Sequence, residues 1–313
     1  MYKLMMQEDL QQTIGKNISF EGIGLHSGKN SKIRLLPCND DQGIIFKRVD
    51  LRKNNIIKAD YRNVSSAKLC TTLENSSGVK VSTVEHLLAA LYIVGIDNAI
   101  IEVNNQEIPI MDGSSKDFVQ ILKKTGNKKL NKKRKYLKIL NNVELEDNGR
   151  TISLEPCGSN FEVEFQLNYS NDIIGKQKNT INFLNDNLED VYSSRTFCLF
   201  EDIEKIKEIG LAKGGSLDNA VVVNSEKVMN ENGLRNKKEF VNHKILDLAG
   251  DFVLSGYRIL GKVRCYQGGH QLSNIFLRKL LESTNSFEVI EVNKPELLKK
   301  IQVEQPIKLA VNA

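Results

Sequence analysis

Four histidines occur in the chain, His26, His86, His243 and His270. Imidazole is the commonest protein metal ligand and the usual acid–base group near neutrality, so the surroundings of each decide what chemistry is available. His243 has the most informative setting. It lies in EFVNHKILDLAGDFVLSG, where a helical turn of about 100° per residue puts Val241, Ile245, Leu248 and Phe252 on one face. His243, Asp247 and Asp251 fall on the opposite side, within roughly 80° of one another. A His and an Asp at i and i+4 can offer an imidazole nitrogen and a carboxylate oxygen to one cation. The same spacing also describes an ordinary amphipathic helix with its polar face in water.

Glu85 and His86 open a second helical pattern. A carboxylate beside a metal-binding histidine suits deprotonation of a water at the metal. Ser82-x-x-Glu85 equally matches a capping box, in which Glu85 would bond only a backbone N–H. The arrangement is not HExxH, because the Glu precedes its His and no second His follows. His270 follows two glycines in CYQGGHQLSN, which would let the backbone approach a ligand closely, or would simply start a helix. His26 sits in GIGLHSGKN. A GxGxxG reading fails at Ser27 and a GxxxxGK[ST] reading fails at Ile23, leaving a tight glycine-rich turn.

The elements that must position these groups come in two similar runs. Strands are expected at Asn17 to Phe20, Lys32 to Leu36 and Ala99 to Val103, with helices at Ser82 to Gly95 and Ser115 to Lys124. Strands recur at Tyr136 to Leu140, Thr151 to Leu154 and Phe161 to Leu167. Helices follow at Phe200 to Ile209, capped by Gly210, at Glu239 to Ser255, and from His270. Strands followed by helices, twice over, fit an α+β chain better than an alternating βαβ sheet. The expected division is a first domain over 1–126, a basic linker over 127–135, a second domain over 136–282 and a tail over 283–313.

Composition narrows the class. With 40% hydrophobic and 27% charged residues the chain is that of a globular protein. The net charge of +5 is mild, and much of it lies between Lys123 and Lys138. A single aromatic residue, Tyr136, lies there, too little for interleaved base stacking, so the stretch reads as a solvated linker rather than a nucleic-acid surface. Five scattered cysteines, never in CxxC spacing, suggest neither a disulfide framework nor a cysteine zinc site. The start of the chain lacks the pattern of a signal peptide. The longest apolar run, Leu87 to Ile96, is far short of the roughly 20 residues that span a bilayer. A cytoplasmic protein without a transmembrane segment is expected.

Along nearly its whole length the chain resembles the UDP-3-O-acyl-N-acetylglucosamine deacetylases of lipid A (lipopolysaccharide) biosynthesis. The resemblance rests on FEGIGLHSGK, STVEHLLAAL, GIDNAIIEVNNQEIPIMDGS, SRTFCLFEDIE, GLAKGGSLDNAVVV, EFVNHKILDLAGD and GGHQLSN, in the family's order. It implies two similar α+β domains, each a mostly antiparallel sheet with helices on one face, and an active site between them. His86, His243 and Asp247 would hold one catalytic Zn2+. Glu85 would be the general base, His270 the protonated group facing the leaving amine, Asp251 its orienting partner and Thr196 a hydroxyl at the oxyanion. Lys244 would lie near the substrate's phosphates. The segment from Phe197 to Val223 would form an apolar acyl passage, with Phe197, Ile203, Ala212, Gly215, Leu217 and Val222 along it. Leu69 and Cys70 complete the expected substrate contacts. The implied partner is a UDP-linked acylated amino sugar, with no nucleic acid, at most a weak association with a membrane surface, and a monomeric state.

Two other readings compete. Another zinc amidohydrolase acting on a simple acetylated sugar would have no use for an apolar passage. A non-catalytic protein binding through its lysine-rich stretch would show salt-sensitive binding and carry no metal.

Overall fold

The computed structural model describes residues 9–158 and 160–291. The first half opens with β1 (Leu10–Ile14), β2 (Ile18–Ile23), β3 (Asn30–Leu36), β4 (Ile44–Arg48) and β5 (Ile56–Lys58). Three short strands follow, β6 (Val64–Ser66), β7 (Thr72–Glu74) and β8 (Lys80–Ser82), paired antiparallel. Then come helix α1 (Glu85–Val94), strand β9 (Ala99–Val103) and helix α2 (Lys116–Thr125). The main sheet runs β2-β3-β9-β4-β5 and is antiparallel except at β4–β9. Its strands alternate as a one-sided sheet should: in β3, Ile33 and Leu35 are buried while Lys32 and Arg34 face water.

The second half begins with β10 (Asn127–Lys133), β11 (Lys135–Ile139), β12 (Val143–Asp147), β13 (Arg150–Glu155), β14 (Phe161–Asn168) and β15 (Lys176–Asn182). A short helix α3 (Glu189–Tyr192) leads to β16 (Phe197–Leu199), α4 (Ile203–Glu208) and β17 (Val221–Val223). The chain ends its described course with α5 (Glu239–Val253), β18 (Arg258–Tyr266), α6 (His270–Glu282) and β19 (Phe287–Glu291). β18 is the centre of a seven-stranded sheet, antiparallel to β13 and parallel to β11 and β14. The fold is α+β, with antiparallel pairing predominant in both large sheets.

Helices α1, α2, α5 and α6 share one continuous apolar core with the two large sheets. Phe118 of α2 packs edge-on against Phe20 of β2, with ring centroids 4.9 Å apart. Phe252 of α5 meets Phe161 of β14, and Tyr92 of α1 reaches the same ring. The helix α5 therefore has no solvated face to speak of: its apolar side meets the sheet and its polar side meets α1. The crossing of α1 and α5 depends on Gly250. A Cβ there would stand 2.1 Å from the Glu85 carbonyl oxygen, so only glycine allows this approach.

Three local departures from the sequence reading have clear causes. The lysine-rich stretch is ordered as β10, which pairs antiparallel with β1 and keeps Lys128, Lys129 and Lys132 in water. It joins the two halves as a strand rather than as an irregular segment. The tail begins with β19, which pairs antiparallel with β11; residues from 292 onward lie outside the described residues. Ser82 caps nothing, because β8 runs through it and its hydroxyl bonds the Gln106 carbonyl. α1 instead starts after Thr83, held at φ 57 with its hydroxyl on Glu107.

Candidate metal centre and active-site cleft

α1 contributes Glu85 and His86 from its first turn, and α5 contributes His243, Asp247 and Asp251 from three successive turns. The crossing at Gly250 brings these two sets together. One donor atom each from His86, His243 and Asp247 lies within 4.8 Å of the others. Asp247 Oδ1 stands 3.4 Å from His86 Nε2 and 3.3 Å from His243 Nε2. All three side chains are buried.

The hydrogen bonds around this cluster are incomplete in a telling way. His243 Nδ1 faces the Ser194 carbonyl at 3.0 Å, which makes Nδ1–H the donor and leaves Nε2 with a free lone pair. Asp247 Oδ2 accepts from Lys244 Nζ at 3.0 Å. Asp247 Oδ1 and His86 Nδ1, both sealed from solvent, have no partner among the described residues. A buried carboxylate oxygen left unsatisfied beside a neutral imidazole is costly unless something binds there. Burial pushes the His243 pKa down to about 3 against the pull of Asp247, so its ring is neutral. Despite burial, His243 and Lys244 hold the Asp247 carboxyl well below its usual range, so it is ionised. Two imidazoles and a carboxylate are the donor set of a catalytic metal site, and the residues present fit a divalent cation.

Next to the cluster stand a buried carboxyl, Glu85, and a buried imidazole, His270. Burial raises the Glu85 pKa. Its Oε2 accepts the Thr71 backbone N–H at 3.1 Å, and Oε1 lies 3.7 Å from His270 Nε2. Burial works against a charged His270, but Asp251 and Glu85 outweigh it and lift the pKa to about 10. Asp251 Oδ2 meets His270 Nδ1 at 2.9 Å, and Asp251 Oδ1 accepts the Thr71 hydroxyl at 2.7 Å. Thr71 thus steadies both members of the pair. Of the two glycines before His270, the one under constraint is Gly268, where a Cβ would lie 2.2 Å from Cys265 Sγ.

These groups open into a cleft of about 420 Å³ between the two halves. Thr196, Phe197, Leu199 and Ile206 form one wall, with Leu25, Leu69 and Ile110 across from it. Lys244 and Arg150 also line it. His26 reaches the cleft as well, its Nδ1 accepting the Ala212 N–H at 3.4 Å and its Nε2 unpartnered among the described residues.

Of the substrate positions expected from the sequence, Lys244, Phe197 and Leu69 line the cleft, and the others stand behind or beside it. Cys70 is buried with its thiol toward Thr72. Val222 is buried in β17, Ile203 opens α4, Ala212 lies behind His26, and Gly215 and Leu217 are exposed. Sequence reasoning missed Thr71, Ser194 and Gly250, whose roles depend on contacts far apart in the chain.

Residues 11–282 match the LpxC family, described as UDP-3-O-acyl N-acetylglycosamine deacetylase. A UDP-3-O-acyl-N-acetylglucosamine deacetylase of Geotalea uraniireducens (strain Rf4) is 39% identical over 287 residues, 91% of this chain and 93% of that protein. The enzyme of the same name from Legionella pneumophila (strain Corby) is 41% identical over 281 residues, 89% of this chain and 92% of that protein. That of Idiomarina loihiensis is 40% identical over 299 residues, 95% of this chain and 97% of that protein. The match spans both sheets and every residue of the cluster, and the chain belongs to the UDP-3-O-acyl-N-acetylglucosamine deacetylase family.

Proposed function

We propose that this protein hydrolyses the acetamide of a UDP-3-O-acyl-N-acetylglucosamine, giving acetate and the UDP-3-O-acyl-glucosamine, in lipid A biosynthesis. The observation that carries the reading is the buried His86–His243–Asp247 set, with Asp247 Oδ1 unsatisfied between two imidazole Nε2 atoms, standing beside Glu85 and a protonated His270. Those three side chains would hold a divalent ion, which the donor set suggests is Zn2+; when bound it would supply Lewis acidity for the amide carbonyl and for the attacking water.

The chain's own groups do the rest. Glu85, made more basic by burial and aimed by the Thr71 N–H, takes a proton as water adds to the carbonyl carbon. Thr196, on the cleft wall, offers a hydroxyl to the oxygen that becomes negative. When the C–N bond breaks, the departing nitrogen needs a proton. His270, kept charged by Asp251, is placed to give it. Lys244 and Arg150 are cations suited to the diphosphate, and Phe197, Leu199 and Ile206 offer apolar surface to the acyl chain. Among the described residues no helix is long and apolar enough to cross a membrane. We take the enzyme to act in the cytoplasm on a substrate that it meets without a nucleic-acid partner.

Acetate release from an acylated UDP-N-acetylglucosamine and from UDP-N-acetylglucosamine itself, under equal conditions, tests this. A preference of at least about 100-fold in kcat/KM for the acylated compound is expected, because several buried methylenes contribute. Equal turnover of the two would transfer the protein to simple-sugar amidohydrolases.

A further inference from the structure

We propose that the buried Arg195–Glu239 pair is a positioning clamp that fixes one peptide group against α5 and so sets the orientation of the His243 ring. This rests on His243 being a metal ligand, as in the function proposed above. Glu239 is fully buried and Arg195 nearly so. Glu239 Oε1 accepts Arg195 Nε at 2.8 Å and the Arg195 backbone N–H at 3.1 Å. Its Oε2 accepts Arg195 Nη2 at 3.2 Å and the Arg235 backbone N–H at 2.6 Å. Arg195 Nη2 also reaches the Gly233 carbonyl at 2.8 Å.

The N–H of Arg195 and the carbonyl of Ser194 belong to one peptide group. Its N–H end is held by Glu239, and its carbonyl end is held by His243 Nδ1 at 3.0 Å. Glu239 and His243 are one turn apart on α5, so a single planar unit is gripped by two side chains of one rigid helix. A peptide plane does not bend, and tilting its N–H end moves its carbonyl end. The direction of the Ser194 carbonyl, and with it the imidazole ring, is therefore tied to Glu239. The following residue extends the grip to the cleft wall: Thr196 N–H bonds the Gly113 carbonyl at 2.8 Å, and the Thr196 carbonyl accepts Val221 N–H at 2.8 Å. Gly113 sits so close to this segment that a Cβ on it would lie 2.1 Å from the Asn219 carbonyl oxygen. A buried ion pair is weak evidence for stability, since a well-packed apolar pair of the same volume is often as stable. What apolar side chains lack is directed acceptance of the Arg195 N–H, and that is the contact that orients the ring.

The test compares Glu239→Gln and Arg195→Lys with the wild type and with Asp97→Asn, which breaks a partly buried ion pair away from the cleft. Each full-length protein is loaded with Co(II), and its visible absorption, Co(II) affinity, kcat and KM are measured. Glu239→Gln is expected to shift the cobalt bands and to weaken metal affinity by about 10–100-fold, as lost support of a ligand does. It should also lower kcat by about 10-fold with KM changed less than about 3-fold. Arg195→Lys should show the same pattern more weakly, and it carries the comparison if Glu239→Gln does not fold. Asp97→Asn should lose stability and keep the wild-type cobalt spectrum. A folded Glu239→Gln or Arg195→Lys protein with wild-type cobalt bands and affinity overturns the clamp. So does an Asp97→Asn protein whose bands shift as much. If the wild type binds cobalt but turns over no acylated UDP-sugar, the substrate reading fails while the cobalt comparison still decides the clamp.

Discussion

Two charge clusters, one partly and one fully buried, join the halves of this molecule, and they are built to opposite rules. In one, Asp97 accepts Arg134 Nε and Nη2, Arg258 Nε at 3.0 Å and the Gln12 N–H at 2.8 Å. Arg134 goes on to Asp9 at 3.1 Å and to the Gly95 carbonyl at 2.9 Å, and Arg258 to the Tyr92 carbonyl at 3.2 Å. No atom of Asp97, Arg134 or Arg258 is among the buried unpartnered ones. In the other cluster, Asp247 Oδ1 and His86 Nδ1 are left without partners although both residues are buried. A network that closes on itself gives rigidity and a defined docking of the halves. A network left open at its centre is arranged for a guest. What separates the two here is the unsatisfied Asp247 Oδ1, which faces the Nε2 atoms of His86 and His243.

Breaking the open cluster should cost activity first. Asp247→Ala is expected to lower kcat/KM by more than about 1,000-fold and to remove the bound metal. Elemental analysis beside an acetate-release assay checks both halves of that statement. Glu85→Gln keeps the metal and should slow kcat by about 100–1,000-fold, since only the proton acceptor is gone. Retained activity in that variant would remove Glu85 as the base.

Breaking the closed cluster should do the reverse. Asp97→Asn is expected to cost about 2–3 kcal/mol of stability, because Arg134 and Arg258 lose a partly buried counter-charge. Its kcat/KM should stay within about two-fold of wild type, since the sites are independent. Urea unfolding and steady-state kinetics on the same preparation decide it. Acid should mimic the substitution. Burial alone would raise the Asp97 carboxyl, but Arg258 and Arg134 outweigh it and hold it below the usual range. Its contribution is therefore present above the unfolded value near about 3.9 and is lost as pH falls through the lower folded one. The stability gap between wild type and Asp97→Asn should narrow below about pH 4 and be constant from about pH 5 to 7. Gly250→Ala is the mildest change, expected to cost about 1–3 kcal/mol by forcing α1 and α5 apart. It should also slow turnover more than its stability loss explains, because it moves Glu85 relative to Asp247.

Much of the open cluster could be read in the sequence because both of its helices carry their chemistry on regular periods. His243, Asp247 and Asp251 recur every four residues, and α5 spans Glu239–Val253 where a helix from Glu239 was expected. What periodicity could not say was that the polar face of that helix meets α1 rather than water. Glu85 shows the limit of local rules. Its capping-box reading needs Ser82 at the helix boundary, and β8 occupies that position because it pairs with β7. Thr71 was illegible for a different reason: its hydroxyl partner, Asp251, is 180 residues away. The lysine-rich strand β10 looked like a linker because its apolar content is low; its order comes from pairing with β1.

The most direct measurement is a metal titration of the chelated protein, following acetate release from the acylated UDP-sugar at each addition of Zn2+. Activity should be absent at the start, rise in proportion to added ion and level off at one equivalent per chain, with His243→Ala failing to recover at that ratio. Full activity in protein shown to be metal-free would contradict the central claim that the open Asp247 Oδ1 and the two imidazoles facing it, His86 and His243, are there to bind a catalytic cation.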